Sequence, residues 1–207
     1  MNLTPIDAST TRIIMIRHGE VENHGLEIFN GQMDVDITPN GVAHMERAAE
    51  FLAGSGVRYV YSSDLRRTVR GAAILTERLG LDGRRKELPQ IREIHLGEWQ
   101  GLSAKEVDLR FPGMRESRLA DIVNYRPPGG ESVAELSARV VPAVLGVVGG
   151  HHGEAVAIVA HAGPNRVLLC HALGVPLDRV FSIEQDYGGI NVIDFLPGRT
   201  VVRLVNG

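Results

Sequence analysis

Apolar residues along this chain fall into two repeating patterns. Short strand-like runs rich in Ile, Val and Ala lie at 12–16, 57–62, 155–160, 190–195 and 200–205. Runs of that length and β-branched content predict strands, and the continuous apolar stretches at 13–16 and 155–160 predict strands covered on both faces. Between most of them, apolar positions recur at helical spacing. In 64–79 these are Leu65, Val69, Ala72, Ala73, Leu75 and Leu79, with Gly80 as the stop. A second helix is predicted with Thr38 as its cap and Pro39 in its first turn, running to about Leu52 and ending at Ala53-Gly54. Ser132 to Val148 repeats the pattern, and Ser132 with Glu135 forms a capping box. Residues 163–173 make a further helix, opened by Gly163-Pro164 and closed by Gly174.

Strands alternating with helices predict an α/β fold, a three-layer α/β/α sandwich with a mostly parallel central sheet. The last two strands, joined by Pro197-Gly198, read as a hairpin and add an antiparallel edge. Residues 1–207 are expected to form a single domain. A lid-like insertion at about 102–130 is expected within it, carrying Arg110, Arg115, Arg118 and Arg126 and ending in Pro127-Pro128-Gly129-Gly130.

Composition narrows the class without naming a reaction. The 207 residues are 43% hydrophobic and 23% charged, ordinary for a globular chain. A net charge of −3 argues against a nucleic-acid binder, which carries a basic surplus. One cysteine, Cys170, excludes an intramolecular disulfide and a cysteine-rich metal site; it follows Val167-Leu168-Leu169 and is expected in buried packing. Met1 to Thr11 has neither a basic nor an apolar segment of a secretory leader. No apolar run approaches the ~20 residues that span a bilayer. The expectation is a cytoplasmic protein without nucleic-acid or membrane partners; monomer and homodimer both fit the pattern.

Chemistry-bearing residues gather where the predicted strands end. Arg17-His18-Gly19-Glu20 follows Ile13-Ile14-Met15-Ile16, so a cation and an imidazole stand at a strand tip, where open α/β sheets bind ligands. His161 follows Ile158-Val159-Ala160 and precedes a helix N-terminus, which offers free N–H groups to an anion. Tyr61-Ser62-Ser63-Asp64-Leu65-Arg66-Arg67 joins a strand to a helix, with Ser63 or Asp64 placed to cap it. Arg92-Glu93-Ile94-His95-Leu96-Gly97-Glu98-Trp99-Gln100-Gly101 adds a carboxylate and a tryptophan that would anchor a turn. Together these supply phosphoryl transfer: arginines to clamp the oxygens, His18 to attack, His161 to share charge and Glu93 to protonate the leaving oxygen. No phosphate-binding glycine loop of a nucleotide site follows a strand. The doublet His151-His152 reads as solvated.

These segments resemble the histidine phosphatase, or phosphoglycerate-mutase-like, superfamily over nearly the whole chain. Arg17-His18-Gly19-Glu20 is similar to its defining motif. Phe29-Asn30-Gly31, with Ile37-Thr38 and Gly41, is similar to its phosphate loop and helix entry. Ser63-Asp64-Leu65-Arg66-Arg67 matches S-D-L-x-R, with Arg66 at the variable position. Glu93 through Gly101 matches E-x-x-x-G-x-W-E-G apart from Gln100. Gly129-Gly130-Glu131-Ser132 and His161-Ala162-Gly163 match two further motifs. The resemblance implies a phosphohistidine on His18, a pocket of Arg17, Arg67 and His161, Glu93 as proton donor and acceptor, and no metal or other cofactor. It implies phosphate or substrate contacts from His24, Asn30, Gly31, Ala162 and Gly163. The chain departs from the pattern at Val21, where Ser or Thr is common, at His24, where Asn is common, and at Arg70-Gly71-Ala72, where many members have Q-T-A.

Leu96 stands where the family's mutases carry tyrosine, and 102–130 lacks their adjacent arginine pair. The chain therefore resembles the phosphatase branch, and Gln185-Asp186-Tyr187 with Gly189-Ile190-Asn191-Val192-Ile193 is similar to its α-ribazole phosphatases. The same residues also suit a turn entering a strand. The expected activity is metal-independent hydrolysis of a small phosphorylated metabolite. The alternatives are a cofactor-dependent phosphoglycerate mutase and a catalytically silent phosphate-binding module.

Overall fold

The computed structural model describes residues 5–207. The part of the leader reading that falls on residues 1–4 lies outside the described residues. Six strands form one sheet: β1 (Thr11–Arg17), β2 (Val57–Ser62), β3 (Arg85–Glu87), β4 (Ala155–Ala160), β5 (Ile190–Leu196) and β6 (Arg199–Leu204). Their order is β3-β2-β4-β1-β5-β6. The pairings β3–β2, β2–β4 and β4–β1 are parallel, and β1–β5 and β5–β6 are antiparallel. The parallel sheet with an antiparallel edge is the one expected, and β3 is the strand that sequence reading missed. Arg85-Lys86-Glu87 is fully exposed and has no apolar signal; it joins the edge by pairing with Val60 to Ser62.

Alternation along the strands divides the core in two. Ile13 and Met15 of β1 and Val156, Ile158 and Ala160 of β4 face one side. They pack against α5 (Val133–Gly150) and α6 (Ala162–Leu173). Ile14, Ile16, Ala157 and Val159 face the other side, against α1 (Pro39–Leu52) and α2 (Arg66–Arg78). Period-2 strands with apolar residues on both faces need cover on both, which gives the three layers. Cys170 is buried in this core, as expected. The Val133–Gly150 helix is apolar enough over 18 residues to meet a membrane-span criterion, yet Val133, Leu136, Val140, Val144 and Val147 pack into the core.

The helix ends follow their local signals. The Thr38 hydroxyl accepts from the Gly41 N–H at 2.9 Å, and Ser132 and Glu135 form the full capping box. Gly174 closes α6 in the left-handed region at φ 66°. α2 begins at Arg66 rather than 64 and has no side-chain cap; Ser63 and Asp64 bind His161 and Arg92 instead. The segment at about 102–130 contains α3 (Ala104–Arg110), with its own Ser103–Glu106 capping box, and α4 (Met114–Ala120). The solvated reading of the histidine doublet is corrected at its first member. His151 is buried, its Nε2 3.0 Å from the Tyr61 hydroxyl and its Nδ1 2.7 Å from Glu154 Oε2. His152 is exposed.

Candidate active site

β1 and β4 are neighbours, but their connections leave the sheet in opposite directions. β1 feeds α1 on one face and β4 feeds α6 on the other. The crevice at such a switch point is where open α/β sheets bind ligands. Here it holds His18 and His161, the residues directly following each strand, with ring centroids 5.2 Å apart. The turn after His18 needs glycine. A Cβ at Gly19 would stand 2.1 Å from the Gly41 carbonyl oxygen, so the β1 exit and the start of α1 approach backbone to backbone.

The His18 ring has an assignable tautomer. Nδ1 lies 2.7 Å from the Gly19 carbonyl oxygen, which can only accept. Nδ1 therefore carries the proton, and Nε2 is left with its lone pair. Burial first, then the Arg67 and Arg17 guanidinia, hold the His18 pKa well below its ordinary value. His161 is lowered well below its ordinary value too, by burial, then Arg67, His18 and Arg17. Its Nδ1 accepts from Arg67 Nε at 3.2 Å, so in the neutral ring Nε2 donates to Ser63 Oγ at 2.8 Å.

Both expected arginines are in place and oriented. Arg67 is buried, donating from Nη1 to Met33 O at 2.6 Å and from Nη2 to Gly31 O at 2.7 Å. Arg66, beside it, faces solvent. Arg17 donates from Nη1 to Gln185 O at 2.6 Å, and its Cζ lies 3.9 Å from the centroid of the Tyr187 ring. Gln185 is itself held by Asn165 and Asn191 through buried amide bonds of 3.0 and 2.8 Å. The Arg17 Nε is buried without a partner among the described residues. A buried N–H left unpaired is costly unless a ligand satisfies it. An anion in the crevice would do so.

Glu93 reaches the same crevice from the loop between β3 and α3. Its carboxylate accepts from the Gly163 N–H, at 3.2 and 3.3 Å to the two oxygens, and so sits on the N-terminal turn of α6. Its backbone carbonyl accepts from Arg139 Nη2 and Gln32 Nε2, each at 3.0 Å. Arg139 also donates to the carbonyls of Gln90 and Arg92 and pairs with Glu131, stitching the loop to α5. Trp99, fully buried between Phe29 and Tyr125, anchors the following turn as expected.

Arg17, His18, Arg67, Glu93, Asn30, Gly31, Ala162 and Gly163 all line one cavity of about 260 Å³; His161 does not line it but is buried behind that wall, against Arg67 and His18. That volume lies just below the ~300–1,000 Å³ typical of small-molecule sites. His24 is placed differently. It is 57% exposed at the rim, 3.9 Å from Glu20 and edge-on to Tyr187, and does not line the cavity. Sequence reading missed Arg118, Arg166, Phe181 and Tyr187, which do line it. It also placed Ser63 as a cap, whereas Ser63 holds His161 and Asp64 binds Arg92. Among the described residues no group of three or more His, Cys, Asp or Glu side chains is arranged to hold a metal.

A histidine at a strand tip thus shares one cavity with two guanidinia and a carboxyl, an arrangement suited to phosphoryl transfer on an α/β fold. Residues 13–207 match the histidine phosphatase superfamily (branch 1), and the chain belongs to that family. It is similar to a glucosyl-3-phosphoglycerate phosphatase of Mycolicibacterium vanbaalenii, 36% identical over 180 residues covering 81% of this chain and 76% of the other. A solved mycobacterial glucosyl-3-phosphoglycerate phosphatase complexed with VO3 superposes with a TM-score of 0.83 at 30% identity, covering 95% of this chain and 98% of that one. The α-ribazole phosphatase of Shigella flexneri shares the fold, with a TM-score of 0.86 at 21% identity over 95% and 96% of the two chains. The chain is a phosphohydrolase, and phosphomonoester hydrolysis is the activity its family and relatives support.

Proposed function

We propose that the protein hydrolyses a small phosphorylated metabolite through a phosphohistidine on His18, without a metal. The observation that carries this reading is the His18 Nδ1–H bond to Gly19 O, which leaves a neutral Nε2 beside Arg17 and Arg67. Nε2 attacks phosphorus, the N–P bond forms and the P–O ester bond breaks. Glu93 gives its proton to the departing oxygen. Water then attacks the phosphohistidine, the N–P bond breaks, and Glu93 takes the water proton. Arg17 and Arg67 hold the phosphoryl oxygens, the orphaned Arg17 Nε among the donors, and His161 fixes Arg67 and shares the developing charge. Asn30, Gly31, Ala162 and Gly163 line the phosphate end, with His24 at its rim.

The chain acts as a single domain over 1–207, with 102–130 roofing the leaving-group side, and works in the cytoplasm. A glycerate ester, as in the names of the relatives, and an α-ribazole ester, from the resemblance at Gln185–Ile193, are the first substrates to try. The test is the EDTA-treated protein on p-nitrophenyl phosphate, and on 3-phosphoglycerate with 2,3-bisphosphoglycerate. Hydrolysis of the first with an acid-labile, alkali-stable phosphoenzyme that is absent in His18→Ala is the expected result. Isomerisation of the second would make it a mutase. Binding of vanadate without turnover would make it a binding module.

A further inference from the structure

Four guanidinium groups line the cavity, those of Arg17, Arg67, Arg118 and Arg166, against one carboxylate, Glu93. A phosphomonoester dianion accounts for Arg17 and Arg67. The other two remain. Arg118, from α4, makes no hydrogen bond and no ion pair among the described residues; its Cζ lies 6.0 and 5.8 Å from the centroids of the Trp99 and Phe181 rings. Arg166, from α6, donates Nε to Ile183 O at 2.8 Å, which aims its plane and leaves Nη1 and Nη2 without hydrogen-bond partners among the described residues. Its Cζ lies 5.5 Å from the same Phe181 ring. Thus two separate elements bring two cations to one aromatic side chain at the cavity wall. Both are partly buried, which makes a missing counter-charge more costly than at the open surface. Glu93 is the strongest charge acting on either, with Arg17 and Glu184 weaker at Arg166. Arg118 and Arg166 share the cavity with Glu93, the carboxyl proposed to protonate the leaving oxygen, so they can meet the alcohol part of an ester whose phosphate Arg17 and Arg67 hold.

We infer that Arg118 and Arg166 form a second anion subsite, so that the substrate is a phosphomonoester whose alcohol carries its own acid group, a carboxylate or a second phosphate. Guanidinium groups suit both, since each offers oxygens in a plane that two N–H donors match. This rests on the phosphatase reading above and adds the class of alcohol. It also gives 102–130 a chemical task. Of its four arginines, Arg115 pairs with Asp108 and Arg126 with Glu135, whereas Arg118 alone lines the cavity.

The test compares esters that differ only in the acid group. 3-Phosphoglycerate and glycerol 3-phosphate differ by a carboxylate in place of a hydroxymethyl group. Fructose 1,6-bisphosphate and fructose 6-phosphate test a second phosphate. For at least one pair kcat/KM is expected to favour the acid-bearing ester by about tenfold or more, as a charged hydrogen bond requires. That ratio falls towards one in Arg118→Gln and in Arg166→Gln, and is partly kept in Arg118→Lys. Ratios near one for both pairs in the unaltered protein, or ratios unchanged in both Gln variants, would overturn the subsite. If p-nitrophenyl phosphate and every other ester resist hydrolysis, the phosphatase reading fails. Calorimetric titration then decides the subsite alone. Tighter binding of 3-phosphoglycerate than of glycerol 3-phosphate, lost in Arg118→Gln, sustains it, and equal affinity overturns it.

Discussion

Replacing Gly163 by alanine should separate folding from chemistry in this protein. Gly163 is the second residue of α6 and its backbone is ordinary helix, so alanine fits the main chain. Glycine is about 1 kcal/mol worse than alanine inside a helix, somewhat less in the first turn. The variant should therefore melt at the same temperature or up to about 4 °C higher. The added Cβ, however, would stand 2.2 Å from Glu93 Oε1 and 3.1 Å from Leu136 Cδ2. Leu136 can yield by a few tenths of an ångström, but 2.2 Å is no contact at all, so the carboxyl must swing away. It then loses both bonds from the Gly163 N–H and moves by the order of 1 Å. Displacement of that size costs about 10²-fold where a positioned acid contributes about 10²–10⁴. The assay is kcat/KM on an alkyl phosphate and on p-nitrophenyl phosphate, whose leaving group departs without a proton. We expect a loss of about 10²-fold on the first and only a few-fold on the second, with Glu93→Gln showing the same asymmetry. Equal losses on both esters, or full activity on both, would refute the acid role of Glu93 and the packing argument with it.

His18→Ala should abolish turnover while leaving the thermal transition cooperative; residual turnover at the parental rate would exclude the covalent route. Stability should fall on acidification. His18 and His161 have folded pKa values below their unfolded ones, so below about pH 6.5 the unfolded chain binds more protons, and each histidine lowers the folding equilibrium constant by up to about tenfold per pH unit down to its folded pKa. Denaturant titrations at pH 7.5 and 5.5 measure this, and His161→Gln should show a shallower decline; an unchanged slope would contradict the neutral buried pair. Incubation with EDTA should leave hydrolysis intact, and activity lost to EDTA and restored by a divalent ion would contradict the proposed mechanism.

Local signals along the chain carried most of the fold. The apolar runs at β1 and β4, the Thr38 and Ser132 caps and Gly174 act over a few residues, so their spacing is enough to read them. His18 and His161 were legible for the same reason, since each directly follows a buried strand. What spacing cannot report is which distant group a side chain meets. Ser63 looks like a helix cap until β2 and β4 lie side by side and His161, 98 positions away, takes its hydroxyl. His151 looks solvated until Tyr61, 90 positions earlier, closes over it. Arg110, Arg115, Arg118 and Arg126 look alike in sequence, and it is the tertiary structure, which sets the Arg118 guanidinium by the Phe181 and Trp99 rings, that brings this one to the cavity. The sequence by itself determined the layers, the strand ends and the residue types at the crevice. The tertiary structure decided tautomer, partner and direction, because hydrogen bonds and ion pairs form across space between elements that no local pattern links.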